Sequence, residues 1–386
     1  MENISESEAI FVKKRRLSIL IVLALVLQLM PLPAGTWAGV FPAASTSRAA
    51  AATSGKNEAG NISWSLTKEG SGYRLTLTGS GKMGDYSIKN YEERPNYTPD
   101  YRTSAPWGYY DDQILSVSVG EGITDISAYA FYECSSITSV TIPSTVTEIG
   151  SSAFYSCYSI NSISLPAGLK HIKNAAFQGC GKLEGITLPN GLESIGSSAF
   201  QSTFKDEGID TVMIPDTVAS LGSRAFSGAN IRQITVPASV KTIASGVFQN
   251  CKKLTKAVVS EGITSIGTSA FSGSGFLTDL TLPENSLTAI GDGAFNSTAL
   301  VSVTIPASVT SIGINPFVGG SLQTIRVAEG NQKFKAVNNM LVECKDSKLY
   351  KVISYPCHGG DTATVPDQVE IIGNSAFSSS GVKNVT

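Results

Sequence analysis

The amino-acid sequence predicts a β-rich repeat solenoid built from coils of about 23 residues. One observation is a recurring segment, since VTIPSTVTEIGSSAFYSC (140–157) returns as ISLPAGLKHIKNAAFQGC (163–180). Another is a recurring phenylalanine, usually preceded by alanine, which stands at Phe131, Phe154, Phe177, Phe200, Phe226, Phe248, Phe271, Phe295, Phe317 and Phe377. The first three intervals are 23 residues, the next five are 26, 22, 23, 24 and 22, and the last is 60, which indicates an insertion. This periodicity is typical of stacked repeats and makes a globular enzyme core improbable.

The first half of each coil predicts a β-strand. In the coil that begins at Ile137, Val140 and Ile142 alternate with polar residues, as in a strand with one buried face. Pro143 ends the strand, because proline has no N–H to donate to a ladder. We expect the strands of all coils to form one sheet, whose outward column is Thr141, Ser164, Thr187, Met213, Thr235, Val258, Thr281, Thr304 and Arg326.

The second half of each coil predicts a turn or a short helical segment. Gly150 permits the tight backbone that this turn needs, Ala153 allows close approach, and Phe154 fills the interior. One unit cannot bury its own apolar face, so stacked units must share a continuous core. Ten coils with strands about 4.8 Å apart would make a rod or shallow arc on the order of 50 Å long.

Residues 1–38 have the organisation of an export signal peptide. The basic segment KKRR (13–16) precedes the apolar segment LSILIVLALVLQLM (17–30), and small residues follow. We expect cleavage after Ala38 and a flexible linker over 39–60, which is rich in Ala, Ser and Gly. A retained membrane anchor is the alternative, because residues 17–47 carry no charge.

The charge balance excludes some partners. The chain has 386 residues, a formal net charge of −2 and only 16% charged residues. Without a basic stripe it is not expected to bind nucleic acid. We expect contact with a membrane only if the signal segment is retained. The predicted partner is an extracellular protein or cell-surface ligand, and the oligomeric state stays open.

The repeat unit I-x-I-P-x-x-V-x-x-I-G-x-x-A-F-x-x-C-x-x-L resembles the BspA-type leucine-rich repeat. The segments NISWSL, LTLTGSGKMGDY and APW look like the cap that opens such chains, and NQKFKAVNNMLVECKDSKLYKVISYP resembles the β-hairpin that often interrupts them. The resemblance implies an N-terminal β cap over 61–113 and a leucine-rich repeat solenoid over 114–386, with one β-hairpin insert at 331–358. Because 378–386 begins another strand, we expect the chain to be a fragment of a longer reading frame.

The same resemblance implies a secreted or cell-surface protein of bacterial type. Its expected role is adhesion or protein–protein interaction, with a host matrix protein or with other cells. Two alternatives stay open: a structural component of the cell envelope without a specific ligand, and a non-catalytic binding module of a longer secreted enzyme.

The residues do not predict an enzyme. The two histidines, His171 and His358, cannot supply the convergent imidazoles of a triad or a zinc site. The segment GSGKMG (79–84) fits a dinucleotide-binding pattern, but the proline-containing sequence after it does not predict the required helix. We therefore predict no catalytic residue, no cofactor and no metal.

The cysteines predict free buried thiols. Four of them hold the third place after an anchor: Cys134, Cys157, Cys180 and Cys251. Export makes disulfides conceivable, but Ala229 and Ser274 hold the same place, which suits a small buried residue. Cys344 and Cys357 flank the predicted hairpin. Cys344 should face Leu349 across a KDSK turn, which leaves Cys357 too far along the strand for a bridge.

The candidate binding residues are aromatic and lie in or near the cap. Hot spots at interfaces favour Trp, Tyr and Arg, which the threonine-rich column almost lacks. The candidates are Tyr91, Tyr97, Tyr101, Tyr109 and Tyr110. The alternative is that these tyrosines pack the cap, as we expect of Trp107.

Overall fold

The computed structural model describes residues 52–90 and 101–386, which belong to one compact unit spanning Ala52–Thr386. The predicted signal peptide and the first part of the predicted linker lie outside the described residues. Within the described ranges, no helix is long and apolar enough to cross a membrane.

An antiparallel β cap precedes the first coil. Its strands are Ser54–Lys56, Ile62–Glu69 and Gly72–Gly79, and a separate small hairpin joins Ile88–Asn90 to Tyr101–Thr103. Gly72–Gly79 also pairs in parallel with Ile114–Val119, so the cap sheet continues into the solenoid. The strand Ser54–Lys56 lies inside the predicted linker 39–60. The folded region therefore begins earlier than the sequence indicates, because this strand pairs with its neighbour and places Gly55 against the Trp64 ring.

The first half of each coil forms a parallel strand, as predicted, except in the coil that contains residues 185–188. These strands, which we call the longer ladder, are Ile114–Val119, Ser139–Thr141, Ser162–Ile163, Ile209–Met213, Ile231–Val236, Lys256–Val259, Asp279–Thr281, Ser302–Ile305 and Thr324–Val327. The register pairs Met213 with Thr235, Thr235 with Val258, and Val258 with Thr281, which is the predicted outward column. The expectation of one continuous sheet is wrong. The ladder is divided between Ser162–Ile163 and Ile209–Met213, where residues 185–188 make no backbone hydrogen bond to either side, and again between Asp279–Thr281 and Ser302–Ile305.

The second half of each coil adds a second parallel ladder that the sequence did not predict, and this ladder is divided between Ser220–Leu221 and Thr242–Ile243. These two-residue strands, the shorter ladder, are Asp125–Ile126, Glu148–Ile149, His171–Ile172, Ser194–Ile195, Ser220–Leu221, Thr242–Ile243, Ser265–Ile266, Ala289–Ile290 and Ser311–Ile312. The second residue of each pair is an apolar side chain directed at the core, and eight of the nine are buried. A strand is predicted from apolar and polar residues that alternate over several positions, and two residues are too few to show this pattern.

The segment around each anchor is an extended turn rather than a helix. The residues two before and two after the anchor have positive φ, as Ser152 (54°) and Ser156 (57°) do around Phe154. Left-handed residues at every fourth position exclude an α-helix. The described residues contain only two short 3₁₀ helices, Gly108–Tyr110 and Ala238–Val240. The turn alternative of the prediction is therefore confirmed, and the helical alternative is wrong.

The turn segments of successive coils are joined by backbone hydrogen bonds. The N–H of Phe131 donates to the carbonyl of Ala153 in the next coil (2.8 Å), whereas the N–H of Ala130 donates to Ser127 of its own coil (3.2 Å). Successive N–H groups thus donate in turn to a carbonyl of the next coil and to a carbonyl of their own coil. The backbone hydrogen-bonding groups of this segment therefore have partners without forming a helix.

The core contains one column of stacked aromatic rings. Adjacent anchors from Phe131 to Phe317 have ring centroids 5.1–5.9 Å apart and nearly parallel planes. Trp107 stacks on Phe131 at 5.9 Å and begins the column from the cap. These rings are at most 4% exposed, which confirms the predicted role of the anchors and of Trp107 as core.

The 60-residue interval holds a hairpin and one further coil. The hairpin sheet consists of Phe334–Val337, Met340–Lys345 and Lys348–Ser354, and the last part of the chain adds Thr362–Ala363, Ile371–Ile372 and Asn384–Val385. Cys344 faces Leu349 across the turn, as predicted. The N–H of Tyr355 donates to Ala376 (2.8 Å), as the anchor N–H groups from Phe131 to Phe295 do to the next coil, so Tyr355 replaces a phenylalanine there. With Trp107 and Tyr355, the anchor positions number twelve rather than ten.

All six cysteines are buried and free, as predicted. The structure adds a role that the sequence did not indicate: Cys157 donates its thiol to the carbonyl of Phe131 in the preceding coil (3.1 Å). Ser274 makes the equivalent bond to Phe248 (2.8 Å), so a small donor is favoured at this position. Burial raises the pKa of the Cys180 and Cys251 thiols to about 12, which keeps both protonated and unreactive at neutral pH.

Candidate interaction surfaces

The structure separates the candidate tyrosines of the cap. Tyr91 and Tyr97 lie outside the described residues, and Tyr101 is described only as the first backbone position of the strand Tyr101–Thr103. Tyr109 is 44% exposed and is the described candidate best placed for contact with a partner. Tyr110 is half-buried and packs edge-on against Tyr73 at 5.4 Å, which favours a packing role.

Other polar groups of the cap are fixed by burial. The Tyr86 hydroxyl donates to the carbonyl of Met83 (3.0 Å), and its ring packs edge-on against Trp107 (5.5 Å). Burial raises the pKa of Tyr86 far above its usual value, and the nearby Asp125 carboxylate adds to this. Arg102 and Asp111 form a buried ion pair (3.6 Å). These residues hold the cap on the first coil and are poor candidates for recognition.

A group of tyrosines on the first two coils was not predicted. We call Tyr129, Tyr132, Tyr155 and Tyr158 the tyrosine shelf. The rings of Tyr132 and Tyr155 stack at 4.9 Å with planes 9° apart, and Tyr129 lies 5.9 Å from Tyr132. Tyr158 is 54% exposed and the other three are half-buried. Tyr129, Tyr132 and Tyr155 are thus adjacent, and the exposed Tyr158 lies three residues after Tyr155 in the same coil.

The later coils show that the fold does not require the shelf. Tyr132 and Tyr155 each follow an anchor directly, and in later coils this position is held by Gln178, Gln201, Ser227, Gln249, Ser272 and Asn296. Those coils keep the same anchor stacking and the same turn. The tyrosines therefore need a reason other than packing. One signal was present in the sequence, since Tyr132 and Tyr155 are 23 residues apart, which is one coil.

The stretch of sequence that carries the shelf is acidic. No Lys or Arg occurs in residues 103–169, and the carboxylates in that stretch are Asp111, Asp112, Glu121, Asp125, Glu133 and Glu148. Burial raises the pKa of Tyr132 well above its usual value, and the Glu133 carboxylate adds to the shift. The phenol therefore stays neutral at physiological pH.

The outward face of the longer ladder is a second candidate surface. Of its column, Val258 is half-buried and the other members are exposed, with Met213 at 67%. Two shallow grooves of about 640 and 820 Å³ lie on this side. The larger is lined by Ile163 and Ile186 with Glu184 and Asp210, where the ladder is divided. Hydroxyls at this face are partly engaged within the solenoid, since Thr255 donates its hydroxyl to the carbonyl of Arg232 (3.1 Å).

Neither histidine belongs to a described cluster of metal ligands. Within the described residues, no group of three or more His, Cys, Asp or Glu side chains is placed to hold a metal ion. His171 shares a hydrogen bond between its Nδ1 and the Ser194 hydroxyl (2.9 Å) on the shorter ladder. The N–H of His358 donates to Leu322 next to the hairpin insert.

Comparison with known proteins agrees with this architecture. Residues 108–207 and 201–323, more than half of the chain, match the family model "BspA type Leucine rich repeat region" with six copies. The crystal structure of a leucine-rich repeat protein from Bacteroides ovatus ATCC 8483 is 24% identical, covers 84% of this chain and 80% of its own, and has a TM-score of 0.54. At this identity the likeness shows the fold alone.

Two further solved structures are less similar. A leucine rich cell surface protein from Faecalibacterium prausnitzii A2-165 is 21% identical, covers 86% of this chain and 72% of its own, and has a TM-score of 0.34. The T. pallidum leucine rich repeat protein is 23% identical, covers 63% and 89%, and has a TM-score of 0.37. No curated protein matches the chain significantly.

Proposed function

The chain belongs to the BspA-type leucine-rich repeat family, and from that premise we propose that it is an exported cell-surface protein that binds another extracellular protein or another cell. It acts by binding rather than by catalysis. Export is supported by the basic and apolar segments of residues 1–38, which have the order of a signal peptide.

The observation that carries the proposal is the tyrosine shelf. Tyrosine is enriched among the residues that dominate binding energy, because it buries much area at a small entropic cost. Tyr132 and Tyr155 stand where later coils carry Gln or Ser, so the solenoid itself does not account for them. The stacked core beneath them fixes their position before a partner binds, which lowers the entropic cost of binding.

The test compares two surfaces of the intact chain. Cells that produce the full chain, including residues 1–38, are first labelled from outside to measure surface exposure, and adhesion to immobilised extracellular matrix proteins is then counted. We expect Tyr132→Gln with Tyr155→Gln to reduce adhesion at least tenfold, because both side chains are candidates for a large share of the binding energy. Met213→Thr with Arg326→Thr on the longer ladder is the matched control and should leave adhesion unchanged.

Other results would redirect the proposal. If the ladder variant lost adhesion and the shelf variant kept it, the binding surface would be the longer ladder. If the chain reached the surface and neither variant changed adhesion, a structural role in the envelope would be favoured. Absence of external labelling would contradict export.

A further inference from the structure

We propose that the tyrosine shelf, Tyr129, Tyr132, Tyr155 and Tyr158, binds a segment of a partner protein that is rich in arginine or lysine. This inference rests on the proposed function and adds the chemistry of the partner. Two properties of the shelf carry it: the geometry of its rings and the charge around them.

The rings are arranged to receive flat cationic groups. A guanidinium or ammonium group is attracted to an aromatic face within about 6 Å of its centroid, by roughly 0.5–2 kcal/mol depending on exposure. Tyr132 and Tyr155 are held nearly parallel at 4.9 Å, and Tyr129 is tilted by 60° against Tyr132. Tyr132 and Tyr155 cover one another's facing sides, so a cationic group would stack on the ring faces that this contact leaves open rather than between the two rings. Arginine suits such a surface best, because its planar guanidinium stacks on aromatic rings.

Negative charge in this part of the chain also favours a partner segment that is rich in arginine or lysine. Residues 103–169 contain six carboxylates and no Lys or Arg. Two of the carboxylates have basic partners from outside this stretch, since Asp111 pairs with Arg102 (3.6 Å) and Glu148 pairs with Lys173 (3.2 Å). Glu133 follows Tyr132 directly and is exposed. A surface of one sign steers a partner of the opposite sign and raises its rate of association.

The coils that follow directly have a different charge pattern. Between Lys170 and Lys256 several bases pair with an acid of a neighbouring coil, as Lys170 does with Glu193 (3.1 Å) and Arg232 with Asp210 (2.8 Å). The first two coils thus combine excess negative charge with tyrosines. A stretch without Lys or Arg recurs at 257–325, where it holds four carboxylates, but that stretch contains no tyrosine.

The experiment measures binding of synthetic peptides to the purified full chain. The probe is a peptide of alternating Arg and Gly, and its counterpart has Glu in place of Arg. We expect the Arg peptide to bind, the Glu peptide not to bind, and added salt to weaken binding because the charges are exposed. Tyr132→Gln with Tyr155→Gln should weaken binding at least tenfold. Glu133→Ser, which copies Ser156 of the next coil, should weaken it less and reduce its salt dependence.

Controls keep the result specific. Gln178→Ser changes the same position in the next coil and should leave the affinity unchanged. Each variant should keep the parental melting temperature, because its new side chain already occurs at that position in another coil. Equal binding of the Arg peptide by the parent and the folded Tyr132/Tyr155 variant overturns the proposal, and so does equal binding of the two peptides. Loss of cell adhesion in that variant without any binding of the Arg peptide would overturn this inference and leave the proposed function standing.

Discussion

Hydroxyl side chains satisfy backbone carbonyls between coils, which accounts for the many Ser and Thr residues of this weakly charged chain. Near the end of the longer-ladder half, Thr145 donates to the carbonyl of Ile123 (2.7 Å) and Ser308 donates to that of Leu287 (2.7 Å). Ser239 holds the equivalent position, but its hydroxyl is buried without a partner. The difference arises in the 3₁₀ helix Ala238–Val240, after which Lys241 has φ 53°.

This difference predicts opposite effects for one substitution at two equivalent positions. Ser308→Ala should lower the free energy of unfolding by about 1 kcal/mol, because it removes a hydrogen bond and leaves a carbonyl unsatisfied. Ser239→Ala should be neutral or stabilising by up to about 1 kcal/mol, because a buried hydroxyl without a partner is costly. Urea denaturation of both variants measures the difference. A larger loss for Ser239→Ala than for Ser308→Ala would contradict this account.

The phenylalanine anchors were predictable residue by residue, but the anchor positions of Trp107 and Tyr355 were not. Each phenylalanine fills the same interior position, so its spacing is visible in the sequence. Trp107 and Tyr355 fill that position with a different ring, and the phenylalanine spacing does not reveal Tyr355. The tyrosine shelf was missed for a related reason. The spacing of Tyr129, Tyr132, Tyr155 and Tyr158 has meaning only when the coils are in register.

At the scale of elements, the longer ladder is interrupted at a glycine. In each coil one residue directly precedes the core-facing residue of the strand. This residue is Ser139 in one coil and Ser162 in the next, but it is Gly185 in the coil after that. Glycine weakens a strand, because it gains little packing and loses more conformational freedom on folding than other residues. The coil that follows is three residues longer, and Phe204 of its loop packs on Phe200 (6.2 Å). Both features accompany the loss of pairing at residues 185–188.

This interruption predicts fast hydrogen exchange in a segment that the sequence assigns to the sheet. The amides of residues 185–188 should exchange faster than those of Val140 and Thr141. Gly185→Thr should slow their exchange and stabilise the chain by about 0.5–1 kcal/mol, because a Cβ added at this glycine would meet no atom within 4 Å. Ser162→Thr in the paired strand is the control and should change exchange little. Protection at 185–188 equal to that at 140–141 in the parent chain would refute the interruption.

The shorter ladder and the conformation of the turn segments could not be predicted from the sequence. The strand half was predicted because several alternating residues precede a proline. The shorter ladder offers only two residues per coil, such as Glu148–Ile149, and its pairing is visible only from the neighbouring coils. The left-handed positions around the anchors carry Ser, Gly, Asn and even Tyr129, so their composition does not distinguish this turn from other turns.

At the scale of the whole molecule, the contacts between coils join each coil only to its nearest neighbours. The aromatic column, the two ladders and the Cys, Ser and Thr side chains all bridge adjacent coils. In such an array the stability is approximately a sum of coil terms and nearest-neighbour terms. The repeat period alone predicted this architecture. The period could not predict the binding surface, because recognition depends on the residues in which one coil differs from the others.

The nearest-neighbour architecture predicts how damage spreads from one coil. Phe177 is fully buried and stacks on Phe154 (5.3 Å) and on Phe200 (5.4 Å). Phe177→Ala should therefore leave a cavity and cost about 3–5 kcal/mol. Because the lost ring contacts two neighbours, the amides of the coils containing Phe154 and Phe200 should lose protection from hydrogen exchange together with the mutated coil. Phe276→Ala is the control, since Phe276 is 63% exposed and its loss should change the exchange pattern little. Loss of protection confined to the coil of Phe177 would contradict a shared core and would mean that each coil is stable on its own.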